Sequence, residues 1–506
     1  MSSGEPPEPP PGRAGRQVFE TDHLLAGLGR HAARGSLIAV SAQTARMAVQ
    51  IAAMAILARL LAPADFGLAA MALACTGLLA MFTDLGLSAA AVQRDRLTHS
   101  LASALFGCNL AGGLAAMALL IAASPLVGRM FGEPRLVPLM MVLAVVLPLE
   151  AAGRQHAALL QRGMRFGALE GTALAAQAVG AAAAVGLALG GAGYWALAAQ
   201  PLIAAGLGSA LLWLACPWRP GRVRDWRGAR SALLFGLDMT GFQILNQIHR
   251  QVDDLLIGWR WGAVDLGFYN RAYALMMLPI RLLSGPIGAV AIAALSRIKH
   301  DPAAWLRLYC RAIGGVMLVA APVAILLALL APQIVRLLFG PGWDPASEIF
   351  ARLSLCILAQ PVMSSVGWLW VSRGATRAML RWAAGSIPLM VLAMLAGLPF
   401  GAVGVATGYA VSICLLTPVC LVFAARGLGF GLAPVRRALA PPLAGALAAY
   451  LAVRLLLPAA PAEAFGPALL GAGVFVLLYL GFTYALDRRT IRRMAELVSL
   501  LRGGGG

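Results

Sequence analysis

Long apolar segments separated by short polar loops run along almost the whole chain. About 20 predominantly apolar residues are enough to cross the ~30 Å hydrocarbon core of a bilayer as a helix. About fourteen such spans are predicted, at residues 36–58, 66–90, 101–123, 137–158, 168–189, 194–216, 231–257, 264–296, 309–330, 347–372, 382–397, 402–424, 438–456 and 465–486. Soluble helices need a polar face, which most of these segments lack, so the pattern predicts an all-α integral membrane protein.

The seventh predicted span differs from the others because it carries a polar face. It contains DMTGFQILNQIHRQVDD, residues 238–254, in which polar side chains recur at helical three- and four-residue spacing. An ionised side chain at the bilayer centre costs at least ~2.5–3.5 kcal/mol, so such a face is expected to line a polar cavity. The pattern therefore predicts that something polar is bound or moved within the membrane.

Composition and charge agree with the membrane assignment. The chain is 60% hydrophobic and 12% charged. Its net charge of +19 would suggest nucleic acid as the partner of a soluble protein, but the basic residues here concentrate in alternate loops. That alternation is the positive-inside pattern, which predicts a cytoplasmic N-terminus and C-terminus and removes the argument for nucleic acid.

Neither the termini nor the cysteines indicate an enzyme. Residues 1–30 are proline-rich, lack the apolar core of a signal peptide, and are expected to form a disordered cytoplasmic tail. The seven cysteines form no CxxC pair, so no disulfide framework or metal site is predicted. Metalloprotease, P-loop and serine-hydrolase motifs are absent from suitable contexts. We therefore expect a protein that is not an enzyme and has no cofactor, with coupling to a proton or sodium gradient left open.

Three short motifs recur in the same order, about 200 to 211 residues apart. The pairs are RLLAPADFG with RWGAVDLG, RMFG with RLLFG, and QRGMR with SRGATR, which begin at residues 59 and 260, 129 and 336, and 161 and 372. Six spans are an even number of crossings, so both copies would point the same way, as two six-helix lobes around a central cavity. The alternative is that the motifs reflect only loop chemistry, with glycine at helix ends and arginine at cytoplasmic boundaries.

The repeat predicts a domain organisation. The expected domains are the tail at 1–30, an N-lobe of spans 1–6 at 31–216, a basic cytoplasmic linker at 217–230, a C-lobe of spans 7–12 at 231–430, and spans 13 and 14 with a cytoplasmic C-terminal tail at 431–506. Spans 13 and 14 therefore lie outside the repeat.

Four stretches carry a resemblance to a known superfamily. They are ARLLAPADFGLAAMA, LLQRGMRFG, FGLDMTGFQILNQIHRQVDDLLIG and FYNRAYALMMLPIRLLSGPIGAVAIAALSRI, which begin at residues 58, 159, 235 and 268. The chain resembles the multidrug/oligosaccharidyl-lipid/polysaccharide exporter superfamily from about residue 30 to 430. It is most similar to the bacterial lipopolysaccharide and polysaccharide flippases of the colanic-acid-exporter type.

That resemblance implies a fold and a function. The fold would be a V-shaped pair of helical lobes around a cavity that opens alternately to the cytoplasm and the periplasm. The protein would lie in the bacterial inner membrane and move undecaprenyl-diphosphate-linked oligosaccharide repeat units for lipopolysaccharide or exopolysaccharide biosynthesis. Its partners would be that lipid-linked oligosaccharide, membrane lipids, and a polysaccharide polymerase with export machinery.

Three alternatives stay open at this point. A multidrug or toxin extruder and a peptidoglycan-precursor flippase belong to the same superfamily. A membrane glycosyltransferase or polymerase belongs to another class and would need a large external loop or a catalytic set of carboxylates and histidines. The loops predicted outside the membrane are short, the longest being near 331–346, which disfavours this last alternative.

Arginines within the predicted spans are candidates to bind the diphosphate of the substrate. The guanidinium group is permanently charged and contacts phosphate through two parallel hydrogen bonds. The candidates are Arg46, Arg250, Arg271 and Arg281. Alternatively, Arg250 neutralises Asp253 and Asp254, which follow it by three and four residues on the helix.

Carboxylates within the spans are candidates for ion coupling. Burial disfavours the ionised form and a nearby cation favours it, so protonation could follow a conformational cycle. The candidates are Asp84, Asp238, Asp253 and Asp254. The leading one is Asp238, because no basic residue lies one turn away, although a helix-start carboxylate is the alternative. Trp368 and Trp370 are candidates for stacking on sugar rings or for residues at the membrane–water interface.

Overall fold

The structure is a computed structural model, and it describes residues 28–84, 86–93, 97–221, 226–456 and 464–486, with the helix backbone alone at 28–37, 82, 89, 90, 93, 226–250, 283–286 and 289. Within these ranges every regular element is an α-helix or a 3-10 turn. The predicted all-α class is therefore confirmed. Most of the predicted N-terminal tail, residues 1–27, and the predicted C-terminal tail, residues 487–506, lie outside the described residues.

The chain forms two compact units, Met1–Gln251 and Val252–Gly506. The helices of the first unit are α1 (Leu28–Leu60), α2 (Pro63–Ala80), α3 (Leu87–Gln93), α4 (His99–Phe131), α5 (Leu136–Ala144), α6 (Val146–Arg162), α7 (Phe166–Leu189) and α8 (Trp195–Ala215), and α9 (Trp226–Arg297) begins there. Helix α7 packs against both α1 and α8, while α4 and α6 pack against each other. A 3-10 turn, Met81–Thr83, interrupts the second predicted span between α2 and α3.

Helix α9 is two helices that meet at Gly262. This residue has a φ of 82° and a ψ of −170°, which are not helical. A side chain is strained at such a positive φ, whereas glycine adopts it readily. This kink falls within RWGAVDLG, which is where the sequence predicted the boundary between spans 7 and 8.

The described part of the second unit continues with eight more helices. They are α10 (Pro302–Leu329), α11 (Ala331–Phe339), α12 (Asp344–Ser354), α13 (Cys356–Arg373), α14 (Thr376–Gly397), α15 (Gly401–Leu428), α16 (Ala433–Leu456) and α17 (Phe465–Leu486). The last two helices dock on α10, where the hydroxyl of Tyr479 donates a hydrogen bond to the backbone oxygen of Leu318 at 2.7 Å. Predicted spans 13 and 14 are thus packed parts of this unit.

The repeated motifs mark helix boundaries in the structure. In RLLAPADFG, Pro63 occupies the first turn of α2, where its missing N–H is not needed, and Asp65 accepts a hydrogen bond from the N–H of Ala62 at 3.1 Å. In RMFG and RLLFG, Gly132 and Gly340 end α4 and α11 with φ values of 66° and 88°. A short helix followed by a longer one, α5–α6 and α12–α13, precedes both QRGMR and SRGATR. This shared helix order supports the internal repeat.

Ten helices of the described part of the chain are long and apolar enough to cross a membrane, or eleven if the bent pair Asp344–Ser354 and Cys356–Arg373 is one span. The chain is therefore a multi-pass membrane protein, but the predicted number of fourteen spans is not confirmed. In that count Thr376–Leu428 is a single stretch, although it contains α14, α15 and a 3-10 turn with Gly401 at a φ of 74°. Predicted spans 7 and 8 lie in α9, where only the backbone of 226–250 is described.

Candidate functional site

Arg46 joins α1 to α7 through an ion pair in the first unit. Its Nη1 lies 2.7 Å from Oε2 of Glu170, and its Nη2 donates a hydrogen bond to Oε1 of Gln43 at 2.9 Å. Gln177 of α7 donates to the backbone oxygen of Arg46 at 3.1 Å, which ties the same two helices together. The side chains of Arg46 and Glu170 are 23% and 17% exposed. The guanidinium is thus held in place, largely withdrawn from the surface but still accessible.

The Arg46–Glu170 pair has the chemistry of an anion site with a built-in counter-charge. A guanidinium binds carboxylate and phosphate with the same planar set of donors, so one can replace the other. Glu170 is not among the residues predicted from the sequence. It lies at the start of α7, far from Arg46 in the chain, and only the packing of α1 on α7 brings the two charges together.

Two aspartates of α9 meet a polar segment of the same helix in the second unit. Asp253 is 4% exposed and accepts a hydrogen bond from the hydroxyl of Tyr269 at 2.7 Å. Asp254 accepts one from Nδ2 of Asn270 at 3.4 Å, and Oδ1 of Asn270 accepts one from Nη2 of Arg271 at 2.6 Å. Three consecutive residues of FYNRAY therefore bond with the aspartates or with each other.

The kink at Gly262 brings the residues of this cluster together. Asp253 and Tyr269 are sixteen positions apart, a spacing that would separate them by about 24 Å along one straight helix. Their hydrogen bond requires the two halves of α9 to fold against each other. The sequence predicted the aspartates and Arg271 separately, but their common location depends on a fold at a single glycine.

Two more tyrosine rings extend from Tyr269 of this cluster to helix α15. The ring of Tyr269 stacks on that of Tyr273 at a centroid distance of 6.1 Å, and Tyr273 lies 6.2 Å from Tyr409 of α15. The second carboxylate oxygen of Asp253, Oδ1, is buried and has no hydrogen-bond partner in the described part of the chain. This oxygen can therefore accept a proton or another donor.

Asp84, the candidate in the first unit, caps a helix. Its Oδ1 accepts hydrogen bonds from the backbone N–H and the hydroxyl of Ser88 at 3.0 and 2.6 Å. Its Oδ2 lies 3.9 Å from Nη1 of Arg154, and Nη2 of the same arginine donates a hydrogen bond to Oε2 of Glu150 at 3.3 Å. Asp84 thus stabilises the start of α3 and shares Arg154 with a second carboxylate.

The other candidates are distributed as follows. Arg281 is exposed on α9. The side chains of Arg250 and Asp238 lie outside the described residues, so their predicted roles stay predictions. The structure therefore brings together Asp253, Asp254 and Arg271, whereas Arg46 and Asp84 belong to separate clusters in the first unit.

The two tryptophans lie in the packed interior of the second unit. Trp368 and Trp370 are 6% and 3% exposed. Trp368 packs directly against Gly288, and the ring of Trp370 meets Phe423 edge to face at 6.2 Å. Sugar stacking requires an accessible ring, so it is contradicted for this conformation, whereas a position at the level of the membrane–water interface stays a prediction.

Comparison with protein families gives a match over more than half of the chain. The model of the family described as polysaccharide biosynthesis protein matches residues 56–348. This region includes α2 to α11, only the last turn of α1, and the aspartates of the cluster around Asp253 with Tyr269, Asn270 and Arg271.

Several characterised relatives match over about two thirds of their length. The chain is 25% identical to the teichuronic acid biosynthesis protein TuaB of Bacillus subtilis (strain 168), over 63% of this chain and 66% of that protein. It is 27% identical to the succinoglycan biosynthesis transport protein ExoT of Rhizobium meliloti (strain 1021), over 65% and 68%. It is 24% identical to the lipopolysaccharide biosynthesis protein WzxC of Escherichia coli (strain K12), over 70% and 73%.

Solved structures with the same fold are transporters. The lipid II flippase MurJ in an inward closed conformation superimposes with a TM-score of 0.71 at 13% identity, over 90% of this chain and 99% of that one. An inward-facing multidrug resistance MATE family transporter of the MOP superfamily gives 0.59 at 15% identity, over 76% and 94%. Identities this low show the fold alone, and the fold is the one that the sequence resemblance predicted.

Proposed function

This chain belongs to the polysaccharide biosynthesis protein family, and from that premise we propose that it is a flippase for undecaprenyl-diphosphate-linked oligosaccharide repeat units. It moves them across the bacterial inner membrane by alternating access, for lipopolysaccharide or exopolysaccharide biosynthesis. The names of its relatives support this, since they concern teichuronic acid, succinoglycan transport and lipopolysaccharide. The transporter fold supports it independently of those names.

The observation that carries the proposal is the Arg46–Glu170 pair. An ionisable residue within a membrane span is costly to insert and is a functional candidate for that reason. Arg46 is fixed by Glu170 at 2.7 Å yet remains partly accessible. A diphosphate head group that displaces Glu170 would gain a bidentate, charge-assisted contact. Arg271 has the same role in the second unit, with Arg250 and Arg281 as further predicted contacts.

Ion coupling is proposed for Asp253 and Asp254 of α9. Asp253 has one oxygen bonded to Tyr269 and a second oxygen without a described partner, so it can take up and release a proton. Asp254 is its neighbour and shares the Asn270–Arg271 network. Asp238 and Asp84 are secondary candidates, and the bonds of Asp84 to Ser88 favour a structural role.

Orientation and partners complete the proposal. The concentration of basic residues in alternate loops supports an inner-membrane protein with both termini cytoplasmic. A polymerase and export machinery would receive the flipped repeat unit. A multidrug extruder is less well supported, because a pocket for cationic drugs favours acidic residues and Arg46 occupies the first span. A peptidoglycan-precursor flippase shares the fold, but the family description and the names of the relatives concern polysaccharides instead.

Deleting the gene tests the function directly. We expect surface polysaccharide to be lost and lipid-linked repeat units to accumulate on the cytoplasmic face of the inner membrane. Complementation by Arg46→Ala is expected to restore export about 10–100-fold less than the unchanged protein, because a charge-assisted contact is lost. The matched control is Arg135→Ala, which removes a guanidinium from an exposed pair with Glu133 at 3.1 Å and should complement fully.

Two outcomes would contradict the proposal. Normal surface polysaccharide in the deletion strain would exclude a required role in its export. Loss of polysaccharide without accumulation of any lipid-linked intermediate would instead point to an enzyme that builds the repeat unit. Normal complementation by Arg46→Ala would remove the substrate contact while leaving the transporter assignment intact.

A further inference from the structure

A row of three amide side chains, named here the amide row, lies beside the Arg46–Glu170 pair. On α1, Gln43 and Gln50 lie one turn before and one turn after Arg46, roughly 4.5 and 6 Å away along the helix axis. On α7, Gln177 follows Glu170 by seven residues, which is close to two full turns. Residues at these spacings share one face of a helix. Each of the two helices therefore has a polar face that includes one member of the ion pair.

Contacts between α1 and α7 bring the two polar faces together. Near the start of both helices, Cδ1 of Ile38 lies 4.0 Å from the position of a Cβ atom on Gly167. Further along both, Gln177 donates to the backbone oxygen of Arg46 at 3.1 Å, so the helices run in the same direction. Side chains on a helix lean towards its N-terminus, which explains how Arg46 reaches back to Glu170. The amide row and the ion pair thus lie between the same two helices.

The amide row has polar atoms that are not used by the protein. Gln43 accepts a hydrogen bond from Arg46 through its oxygen, but its nitrogen bonds to no described residue. Gln177 donates through its nitrogen, and its oxygen has no partner in the part of the chain that the structure describes. Gln50 makes no hydrogen bond to any described group, and it is exposed, as Gln43 is. An amide without a hydrogen bond is costly in hydrocarbon, so these side chains are expected to meet a polar ligand or water.

Two glycines leave space on α7 next to Glu170. Gly167 and Gly171 lie three residues before it and one residue after it, and both are exposed. A methyl group on Gly171 would meet no described atom within 4 Å, and one on Gly167 would meet the side chain of Ile38 alone among the described residues. The side of α7 beside the carboxylate is therefore open to a bulky group.

The combination of donors and acceptors suits the hydroxyl groups of a sugar. An ionised diphosphate only accepts hydrogen bonds and an ammonium group only donates them, whereas a hydroxyl group does both, as an amide does. The oxygens of Gln50 and Gln177 therefore need a partner other than the diphosphate. Glu170 needs one as well once the diphosphate takes its place on Arg46, because a carboxylate that loses its donor away from bulk water is destabilised. Sugar hydroxyl groups supply the missing donors.

We propose that the amide row and Glu170 bind hydroxyl groups of the sugar that is attached to the diphosphate at Arg46. The inference rests on the proposed function and deepens it, because it assigns different side chains to the two parts of the substrate. Arg46 binds the diphosphate, which all undecaprenyl-diphosphate-linked units share. The amide row reads the sugar, so the positions of its hydroxyl groups determine which repeat units are accepted.

The test compares the binding of two lipids by the purified full-length protein in detergent. One is undecaprenyl diphosphate, and the other is the lipid-linked repeat unit extracted from the bacterium that encodes the protein. We expect the unchanged protein to bind the repeat unit about 10-fold more tightly, because several hydrogen bonds are added. Gln50→Leu and Gln177→Leu should each reduce this preference about 3–10-fold without changing the affinity for undecaprenyl diphosphate. Arg46→Ala should weaken the binding of both lipids.

A matched control and a folding control accompany these variants. Gln161→Leu removes an exposed amide in the last turn of α6, outside the amide row, and should keep the full preference. Gln50→Leu breaks no hydrogen bond to a described residue, so its unfolding temperature in detergent should equal that of the unchanged protein or exceed it. Gln50→Asn keeps the amide on a shorter side chain and should retain part of the preference.

Three outcomes would overturn the inference. Equal binding of the two lipids by the unchanged protein would show that the sugar makes no favourable contact. An unchanged preference in both Gln50→Leu and Gln177→Leu would show that these amides meet only water or lipid. Weaker binding of undecaprenyl diphosphate by these two variants would assign the amides to the diphosphate instead of the sugar.

These failures are distinguishable from failure of the proposed function. If the two lipids bind equally while the deletion strain accumulates lipid-linked repeat units, the sugar site is wrong and the flippase assignment stands. If the unchanged protein prefers the repeat unit and Gln50→Leu does not, while export is normal in the deletion strain, the sugar site is correct and the required role in export is wrong.

Discussion

Arg46 and Glu170 illustrate how an intramembrane charge can serve either structure or function. Their 2.7 Å contact and partial burial make each the counter-charge of the other. Removing one partner of a buried pair typically costs ~3–5 kcal/mol, because the remaining charge is left uncompensated. A loss of function in Arg46→Ala alone therefore does not distinguish substrate binding from neutralisation of Glu170.

The double variant Arg46→Ala/Glu170→Gln separates the two roles. We expect export to remain as low as in Arg46→Ala, because the diphosphate has lost its ligand even though no unpaired carboxylate remains. Arg46→Lys should give intermediate export, since ammonium keeps the charge but lacks the planar fork. The measurement is surface polysaccharide, normalised to the amount of protein in the membrane.

A more exposed Arg–Glu pair within a single helix provides the control. Arg352 and Glu348 lie one turn apart on α12 at 2.9 Å, and both are well exposed. Arg352→Ala/Glu348→Gln should export normally, because exposed pairs contribute little. Recovery of export in the Arg46/Glu170 double variant would show that Arg46 only neutralises its partner.

The sequence pointed to individual charges within the spans as candidates, but it did not indicate the partners that the structure gives them. Arg46 and Asp253 stand out because a charge within an apolar span is rare. Glu170 lies near the start of a span and resembles a helix-start carboxylate. The bond between Tyr269 and Asp253 depends on the fold at Gly262, which no local pattern of polar residues reveals.

At the scale of helices, two pairs pack so closely that only glycine fits between them. A methyl group on Gly180 of α7 would lie 2.7 Å from the backbone oxygen of Gln200 of α8. One on Gly408 of α15 would collide with the backbone of Ala393 of α14. Small residues allow such approach in membrane helices, where association relies on close packing.

The sequence predicted these helices well, but not the helices they pack against, because a helix that is apolar on every side does not indicate which face is packed.

Gly408→Ala is expected to lower the stability of the protein by about 1–3 kcal/mol, because the added methyl group forces α14 and α15 apart. Gly427→Ala, on the same helix, meets no atom within 4 Å and should leave stability equal or raise it by up to ~1 kcal/mol. Thermal unfolding of the purified variants in detergent measures the difference. Equal unfolding temperatures would show that the contact between α14 and α15 is not tight.

At the scale of the whole chain, the internal repeat and the family were readable from the sequence, whereas the number of spans was not settled. The repeated motifs mark helix boundaries, which are specified by local chemistry such as glycine and proline positions. The region that matches the family contains all of these motifs except SRGATR. The count depends on the bent pair Asp344–Ser354 and Cys356–Arg373, on α9, and on whether Thr376–Leu428 crosses the membrane once or twice. Its length allows two crossings, since 53 residues exceed twice the ~20 needed for one.

Reporter fusions within this stretch decide the matter. We expect fusions after residues 375 and 430 to report the cytoplasm and a fusion after Phe400 to report the periplasm. The reason is that arginines flank the two outer points, at positions 373, 377, 381 and 426, and the turn at Leu398–Phe400 has none. Fusions after residues 340 and 375 provide the control, because α12 and α13 between them should give opposite compartments. If all three fusions across Thr376–Leu428 reported one compartment, α14 and α15 would form a hairpin that does not cross, and the even repeat of six spans would fail in the second copy.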